Sequence, residues 1–197
     1  VLKGHADMLL SALPEDAVSR EEVREEVSTM SHHIERLENY VEAMTRLQRL
    51  EDLEVRRGPI DRGLFLAGLR DTADMLRGEK QVTWEVRGET IWHIDREVVS
   101  QVCENLLVNA FRHGRSTVSV RMSAEDGTLC VVVSDDGRGF SHRALERATE
   151  PFYREESGGR MGMGLHICRL LCERHGGSFS ICNNAEGGGV ACASFAM

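Results

Sequence analysis

Glycine is spread so unevenly along this chain that the two ends cannot share one architecture. Residues 1–57 hold a single glycine, Gly4, whereas the rest of the 197-residue sequence holds eighteen, eleven of them after residue 134. Glycine weakens helices and frees the backbone for tight turns and close approaches. The first part is therefore built to be regular and the second to bend. The length suits one large or two small domains. With 41% apolar and 28% charged residues the chain belongs with globular rather than disordered proteins. No apolar run reaches the ~18–20 residues of a membrane span, and no signal peptide opens the chain. A net charge of −8 argues against a nucleic-acid surface, which needs cations to neutralise phosphates.

Six cysteines, Cys103, Cys130, Cys168, Cys172, Cys182 and Cys192, all fall in the second part, without C-x-x-C pairs and mostly within apolar runs. That spacing is wrong for zinc, and buried free thiols in a reducing compartment are expected.

Across residues 20–56, Val23, Val27, Met30, Ile34, Leu37, Val41, Met44 and Leu47 advance in steps of four and three. A period near 3.5 predicts a helix packed along a supercoiled seam. Leu2, Leu9, Leu10 and Leu13 predict the end of an earlier helix, Pro14-Glu15-Asp16 a turn, and Ser19 with Glu22 a capping box. The result is a helical hairpin with one short and one long arm. The long arm cannot bury its seam against the short one, so a second copy of the chain is expected to complete a four-helix bundle. His32 and His33 read as surface histidines.

After Gly58-Pro59 the pattern changes. Helices are predicted over 61–77, 96–113 and 163–175. Strands are predicted over 81–87 and 90–94 with Gly88 at the turn, over 117–123 and 129–134 as a hairpin around Asp126-Gly127, and on both sides of Gly187-Gly188-Gly189. This clustering predicts an α+β sandwich, one mixed sheet covered on one face by helices. The expected domains are 1–57 and 58–197.

Four local patterns carry chemistry. Asn105, Asn109, Arg112 and His113 share one face of the 96–113 helix, opposite Leu106 and Leu107. An asparagine oxygen suits a hydrated Mg²⁺, although helix asparagines read alone are more often structural. The 129–134 strand runs into Asp135-Asp136-Gly137-Arg138-Gly139-Phe140, a carboxylate beside a backbone that a ligand can approach closely. Glu150-Pro151-Phe152-Tyr153-Arg154 precedes a Gly/Ser-rich stretch that reads as a mobile loop. Gly162-x-Gly164 opens a helix, whose free N–H groups form a phosphate cradle.

The order of these patterns resembles the Bergerat nucleotide-binding fold, in particular the catalytic and ATP-binding domain of bacterial sensor histidine kinases. ENLLVNAFRH resembles the N box, DDGRGF the first glycine box, EPFYR the F box and GMGLHICRLLCERHGG the second glycine box. The leading hairpin is similar to the dimerisation and histidine-phosphotransfer domain. The resemblance implies a homodimer through residues 1–57, ATP and Mg²⁺ as cofactors, transfer of the γ-phosphoryl to a histidine and then to an aspartate of a response regulator. It also implies a cytoplasmic catalytic portion, with membrane attachment of the parent protein through upstream segments.

Residue by residue, the resemblance implies that Asp135 accepts the adenine exocyclic amine, while Gly137 and Gly139 let the backbone pass under the base. It implies that Asn109 ligates Mg²⁺, Arg112 pairs with phosphate and His113 packs near base or phosphates. Asn105 holds the position where ATP-hydrolysing relatives carry a glutamate base, and an amide there fits transfer to a side chain better than activation of water. Gly162, Gly164 and Leu165 would receive the triphosphate at the helix start, and Phe152 would anchor a short lid over 150–161. Two departures stand out. Val190 follows the last glycine turn where the family usually places Ser or Thr. VLKGHADMLL resembles the segment just after the phosphoacceptor box, with His5 at an aromatic position, so the chain is expected to bind ATP·Mg²⁺ without phosphorylating itself. The competing readings are a dimerisation and regulator-binding scaffold and an ATPase of the same nucleotide fold.

Overall fold

In the computed structural model of the chain, residues 20–51, 53–153 and 162–197 are described. The expected first helical arm, the Ser19 cap and the Gly/Ser-rich loop lie outside them. The chain divides into two compact units between Gln48 and Arg49.

In the first unit the heptad pattern forms helix α1, Arg20–Glu51. Its seam carries Val27, Ile34, Leu37, Val41 and Met44, all exposed, with Val23 and Met30 half-buried. The expected continuation to residue 56 does not occur. Beyond the helix, the Arg56 N–H donates to the Asp95 carboxylate at 2.8 Å and Arg57 Nη2 donates to the His175 carbonyl at 2.7 Å. The Arg56 N–H is thereby spent on Asp95 and not on the i→i−4 bond that would extend the helix.

The second unit runs β1 (Gly58–Asp61), α2 (Arg62–Leu76), β2 (Gln81–Gly88), β3 (Ile91–Ile94), α3 (Arg96–His113), β4 (Thr117–Glu125), β5 (Thr128–Asp135), α4 (His142–Arg147), α5 (Gly164–Arg174), β6 (Phe179–Asn183) and β7 (Gly189–Ala196). Five strands form a mixed sheet in the order β2-β4-β5-β7-β6, parallel only between β2 and β4. Alternation sends Val118, Val120 and Met122 of β4, Leu129, Val131 and Val133 of β5, and Ala191, Ala193 and Phe195 of β7 into the core. The opposite face carries Ser119, Ser123, Cys130, Ser134 and Ser194, all half-exposed. The core closes with Val99, Val102, Leu106 and Leu107 of α3 and Ile167, Cys168 and Leu171 of α5. Emptying such a site, as in Phe195→Ala, costs about 3–5 kcal/mol. The α+β sandwich is as expected from the sequence.

The strands on either side of Gly88 are not neighbours. Gly88, with φ +85°, is the last β2 residue in register with β4, opposite Ala124. A side chain there would strike the Ala124 carbonyl, so only glycine fits at this point, where the chain leaves the sheet. β3 then pairs antiparallel with β1 as a separate ribbon, an element the sequence reading lacks. Trp92 of this ribbon is fully buried, edge-on to Phe65 of α2 at 5.7 Å. No described helix is long and apolar enough to cross a membrane.

All six thiols are free: Cys103, Cys168 and Cys172 are buried, Cys130 and Cys192 are half-buried, and Cys182 is exposed. Burial was expected of all six. The last three lie on the sheet strands and on faces the helices do not cover, which is why they stay accessible.

Candidate functional site

The site is organised around the end of β5. Asp135 is 7% exposed, and its Oδ1 accepts the N–H of Gly137 at 2.8 Å and of Gly189 at 3.3 Å. Among the described residues Oδ2 accepts no hydrogen bond, so the loop backbone holds one oxygen of the pair and not the other. Glycine is required all around it. A Cβ on Gly137 would lie 2.2 Å from the His113 carbonyl oxygen, and one on Gly188 would lie 1.9 Å from the Asp135 carbonyl oxygen. On Gly189 it would sit 2.9 Å from Asp135 Oδ2.

Strand alternation puts Gly189, not Val190, against the carboxylate, and Val190 pairs with Ser134 and Cys182 instead. The position facing Asp135 therefore has no side chain, and a backbone N–H takes its place.

The neighbouring Asp136 has a different task. Its Oδ1 accepts the N–H groups of Arg115 at 2.7 Å and Ser116 at 3.0 Å, and its Oδ2 accepts the Ser116 hydroxyl at 2.6 Å. The Ser116 hydroxyl, aided by these N–H groups, holds the Asp136 carboxyl well below the usual carboxylate range. Asp136 thus fixes the connection from α3 to β4, directly beside the site.

Helix α3 is capped by Asp95, whose Oδ1 accepts the N–H groups of Glu97 and Val98. Its Leu106 and Leu107 are buried, and the opposite face presents half-buried Asn105 and Asn109, then exposed Arg112 and His113 in the last turn. The His113 carbonyl abuts Gly137, so this end of the helix and the Asp135 loop form one wall. Asn105 lies beside Cys168 of α5, and its side-chain amide faces the Cys168 sulfur, which links α3 to α5 at this point.

Helix α5 begins at Gly164, with no side-chain cap at Met163 and, among the described residues, nothing within 4 Å of where a Gly164 side chain would be. Its first N–H groups and positive dipole end are available to an anion. Gly162, at φ +69°, turns the chain into that helix, and Leu165 is half-buried in its first turn. Phe152 is a non-glycine residue at φ +63°, a strained turn ahead of the loop.

Three contributors escape sequence reading because their partners are distant. His166 Nδ1 lies 2.8 Å from the Thr149 carbonyl, tying α5 to the base of the loop. Asn183 and Asn184, at the β6–β7 turn, bind Phe140, Ser134 and Asp135. The Asn-Asn pair before the glycine run was the one available signal.

A carboxylate ringed by glycines, an asparagine-bearing helix and an open helix start define a class of nucleotide-binding sandwich. The family described as "Histidine kinase-, DNA gyrase B-, and HSP90-like ATPase" matches residues 94–195, over half the chain, and the chain belongs to that family. Sensor histidine kinase SpaK of Bacillus subtilis is 25% identical over 200 residues, covering 95% of this chain and 42% of SpaK. Sensor histidine kinase RegB of Cereibacter sphaeroides is 28% identical over 197 residues, 91% of this chain and 41% of RegB. The chain thus spans less than half of either relative. Among solved structures, full-length ShkA in complex with AMPPNP superposes with a TM-score of 0.69 at 22% identity, covering 91% of this chain and 40% of ShkA. Acinetobacter baumannii histidine kinase AdeS gives a TM-score of 0.62 at 18% identity, covering all of this chain and 93% of AdeS. Within the family, residues 94–195 are of the type found in the ATP-binding catalytic domains of bacterial sensor histidine kinases.

Proposed function

We propose that the chain is the catalytic portion of a two-component sensor histidine kinase, which passes the γ-phosphoryl of ATP to a histidine of its own hairpin domain and from there to an aspartate of a response regulator. The observation that carries this reading is the divided carboxylate of Asp135. With Oδ1 held by Gly137 and Gly189, Oδ2 accepts the exocyclic amine of adenine, a donor that guanine does not offer at that position. Gly137 and Gly139 keep side chains from under the base. The N–H groups at Gly164 and Leu165 receive the phosphates, with Gly162 giving them access and Arg112 supplying positive charge. His113 closes the wall between base and phosphates, and Phe152 anchors the lid.

Asn109 would hold Mg²⁺ through its side-chain oxygen, and the ion would supply charge neutralisation between the phosphates. Asn105, being an amide, takes no proton from water, which favours transfer to a side chain over hydrolysis. The exposed apolar seam of α1 supports dimerisation through residues 1–57, since an unpaired heptad face is stable only when covered. The catalytic portion works in the cytoplasm, and any membrane anchor belongs to other parts of the parent protein.

Calorimetry with ATP and Mg²⁺ tests the site. Binding by the wild type that falls at least about tenfold in Asp135→Asn supports it, because a well-placed hydrogen bond to a charged group is worth about 1.5–3 kcal/mol. Unchanged affinity in that variant refutes the assignment. For the reaction, acid-labile, base-stable label from γ-labelled ATP on a histidine of the full-length protein is expected. Steady hydrolysis without labelled protein would point to an ATPase, and no ATP binding at all to a scaffold.

A further inference from the structure

Two adjacent asparagines at the end of β6 bind the Asp135–Phe140 segment at both of its ends. Asn183 Oδ1 accepts the Phe140 N–H at 2.7 Å while its Nδ2 donates to the Phe140 carbonyl at 2.8 Å. One side-chain amide thus satisfies both backbone groups of a residue 43 positions away. Asn184 Nδ2 donates to Ser134 Oγ at 3.0 Å and to the Asp135 carbonyl at 3.1 Å. Its Oδ1 accepts the N–H groups of Glu186 at 3.0 Å and Gly188 at 2.8 Å, which shapes the glycine turn itself.

The glycines make this junction possible. Gly139, at φ +67°, brings Phe140 to Asn183, and a Cβ on it would lie 2.6 Å from Asn183 Oδ1 and 2.3 Å from the Gly187 carbonyl oxygen. Asn184 pulls the turn so close that Gly189 presents its N–H to Asp135 Oδ1. The carboxylate orientation therefore depends on the turn, and the position of the turn depends on these two amides.

We propose that Asn183 and Asn184 are positioning residues for base recognition: they clamp the glycine turn to the Asp135–Phe140 loop so that Asp135 Oδ2 faces the edge of the purine. This rests on the reading of Asp135 given above. Neither residue touches the nucleotide in this account. Their effect is confined to the base end of the site, because the phosphate-facing start of α5 is held by other contacts, including His166 to the Thr149 carbonyl.

The test uses Asn183→Asp and Asn184→Asp, which keep size and acceptor but lose the donated bonds. Affinities for ATP and GTP are measured by competition against a fluorescent adenine nucleotide, with melting of the ligand-free proteins alongside. Each variant is expected to bind ATP about tenfold more weakly, the scale of one or two lost hydrogen bonds, with GTP changed much less. The preference for ATP over GTP therefore narrows. Equal weakening of both nucleotides, or a lowered melting temperature with unchanged ATP affinity, overturns the proposal in favour of a plain structural turn. Should Asn184→Asp fail to fold, the exposed Asn183→Asp decides by the same ratio. A wild type that binds no ATP overturns the reading of Asp135 itself, before any variant is compared.

Discussion

The backbone N–H of Asp95 donates to Nε2 of His175 at 2.9 Å, joining the start of α3 to the end of α5. The acceptor role fixes the tautomer: Nε2 is bare and Nδ1 carries the proton. His175 is fully buried, edge-on to Phe195 at 5.5 Å. Burial pushes the imidazole below its ordinary value of 6.5; nearby Arg57 acts in the same direction and Asp95 against it.

The neutral ring makes folding pH-dependent. Between the lowered folded-state value and 6.5 the unfolded chain binds a proton that the folded chain refuses, so stability falls as pH drops through that window. Above it the contribution is constant. Denaturant melts from about pH 7.5 down to about pH 5 are expected to show this loss in the wild type and a flatter profile in His175→Gln. Parallel profiles would remove His175 as the cause.

Asp136 gives the opposite sign. Its depressed carboxyl stabilises the fold above the ordinary value of 3.8, and that contribution disappears as pH falls through the folded-state value. Asp136→Asn should cost about 1–2 kcal/mol near neutrality, by weakening bonds to Ser116 and Arg115. The gap to wild type should close as the solution is acidified below 3.8. A gap independent of pH would contradict the account.

Two glycines in the site should respond in opposite ways. Gly188→Ala places a carbon 1.9 Å from the Asp135 carbonyl oxygen, and is expected to cost about 1–3 kcal/mol of stability along with ATP affinity. Gly164→Ala meets nothing within 4 Å among the described residues at the start of α5. It should leave stability unchanged or raise it by up to about 1 kcal/mol, while weakening ATP if phosphates approach there. Melting and calorimetry on the pair separate the two effects, and an unstable Gly164→Ala would refute the geometry.

Thiol chemistry offers an independent check of the core. Burial pushes Cys172 up to about 12, and Cys103 and Cys168 well above the usual thiol range. Exposed Cys182 should alkylate first, half-buried Cys130 and Cys192 more slowly, and the three buried thiols only after unfolding. Peptide mapping after timed iodoacetamide treatment reads this order. Early modification of Cys103 would place it wrongly.

What could be read from the residues alone followed the range of the forces involved. Helix α3 was legible to the residue because its signal is local, a 3.6-residue pattern with polar and apolar residues on opposite faces. Asp135 and its glycines were legible because a strand end followed by spaced glycines is a compact pattern. The pairing of β2 with β4 and of β3 with β1 was not, since each joins strands separated by a helix, α3 in the first case and α2 in the second. The β1 strand has four residues with Pro59 among them, and α4 buries only Ala144, so neither has a periodic signal. That Gly189 rather than Val190 meets the carboxylate is a matter of register, which adjacency in the sequence does not encode. Asn183, Asn184, His166 and His175 act through contacts that no local spacing encodes.

The sheet order also leaves two strands, β2 and β6, with an open side each. Strand edges of this kind are templates for chain-to-chain association. β2 carries Glu85 paired with Arg87 on its exposed positions, and β6 is only five residues long before Asn183 turns the chain away. Charge guards one edge and brevity the other, so neutral, β-branched replacements at Glu85 and Arg87 would expose the longer edge to aggregation without disturbing the nucleotide site.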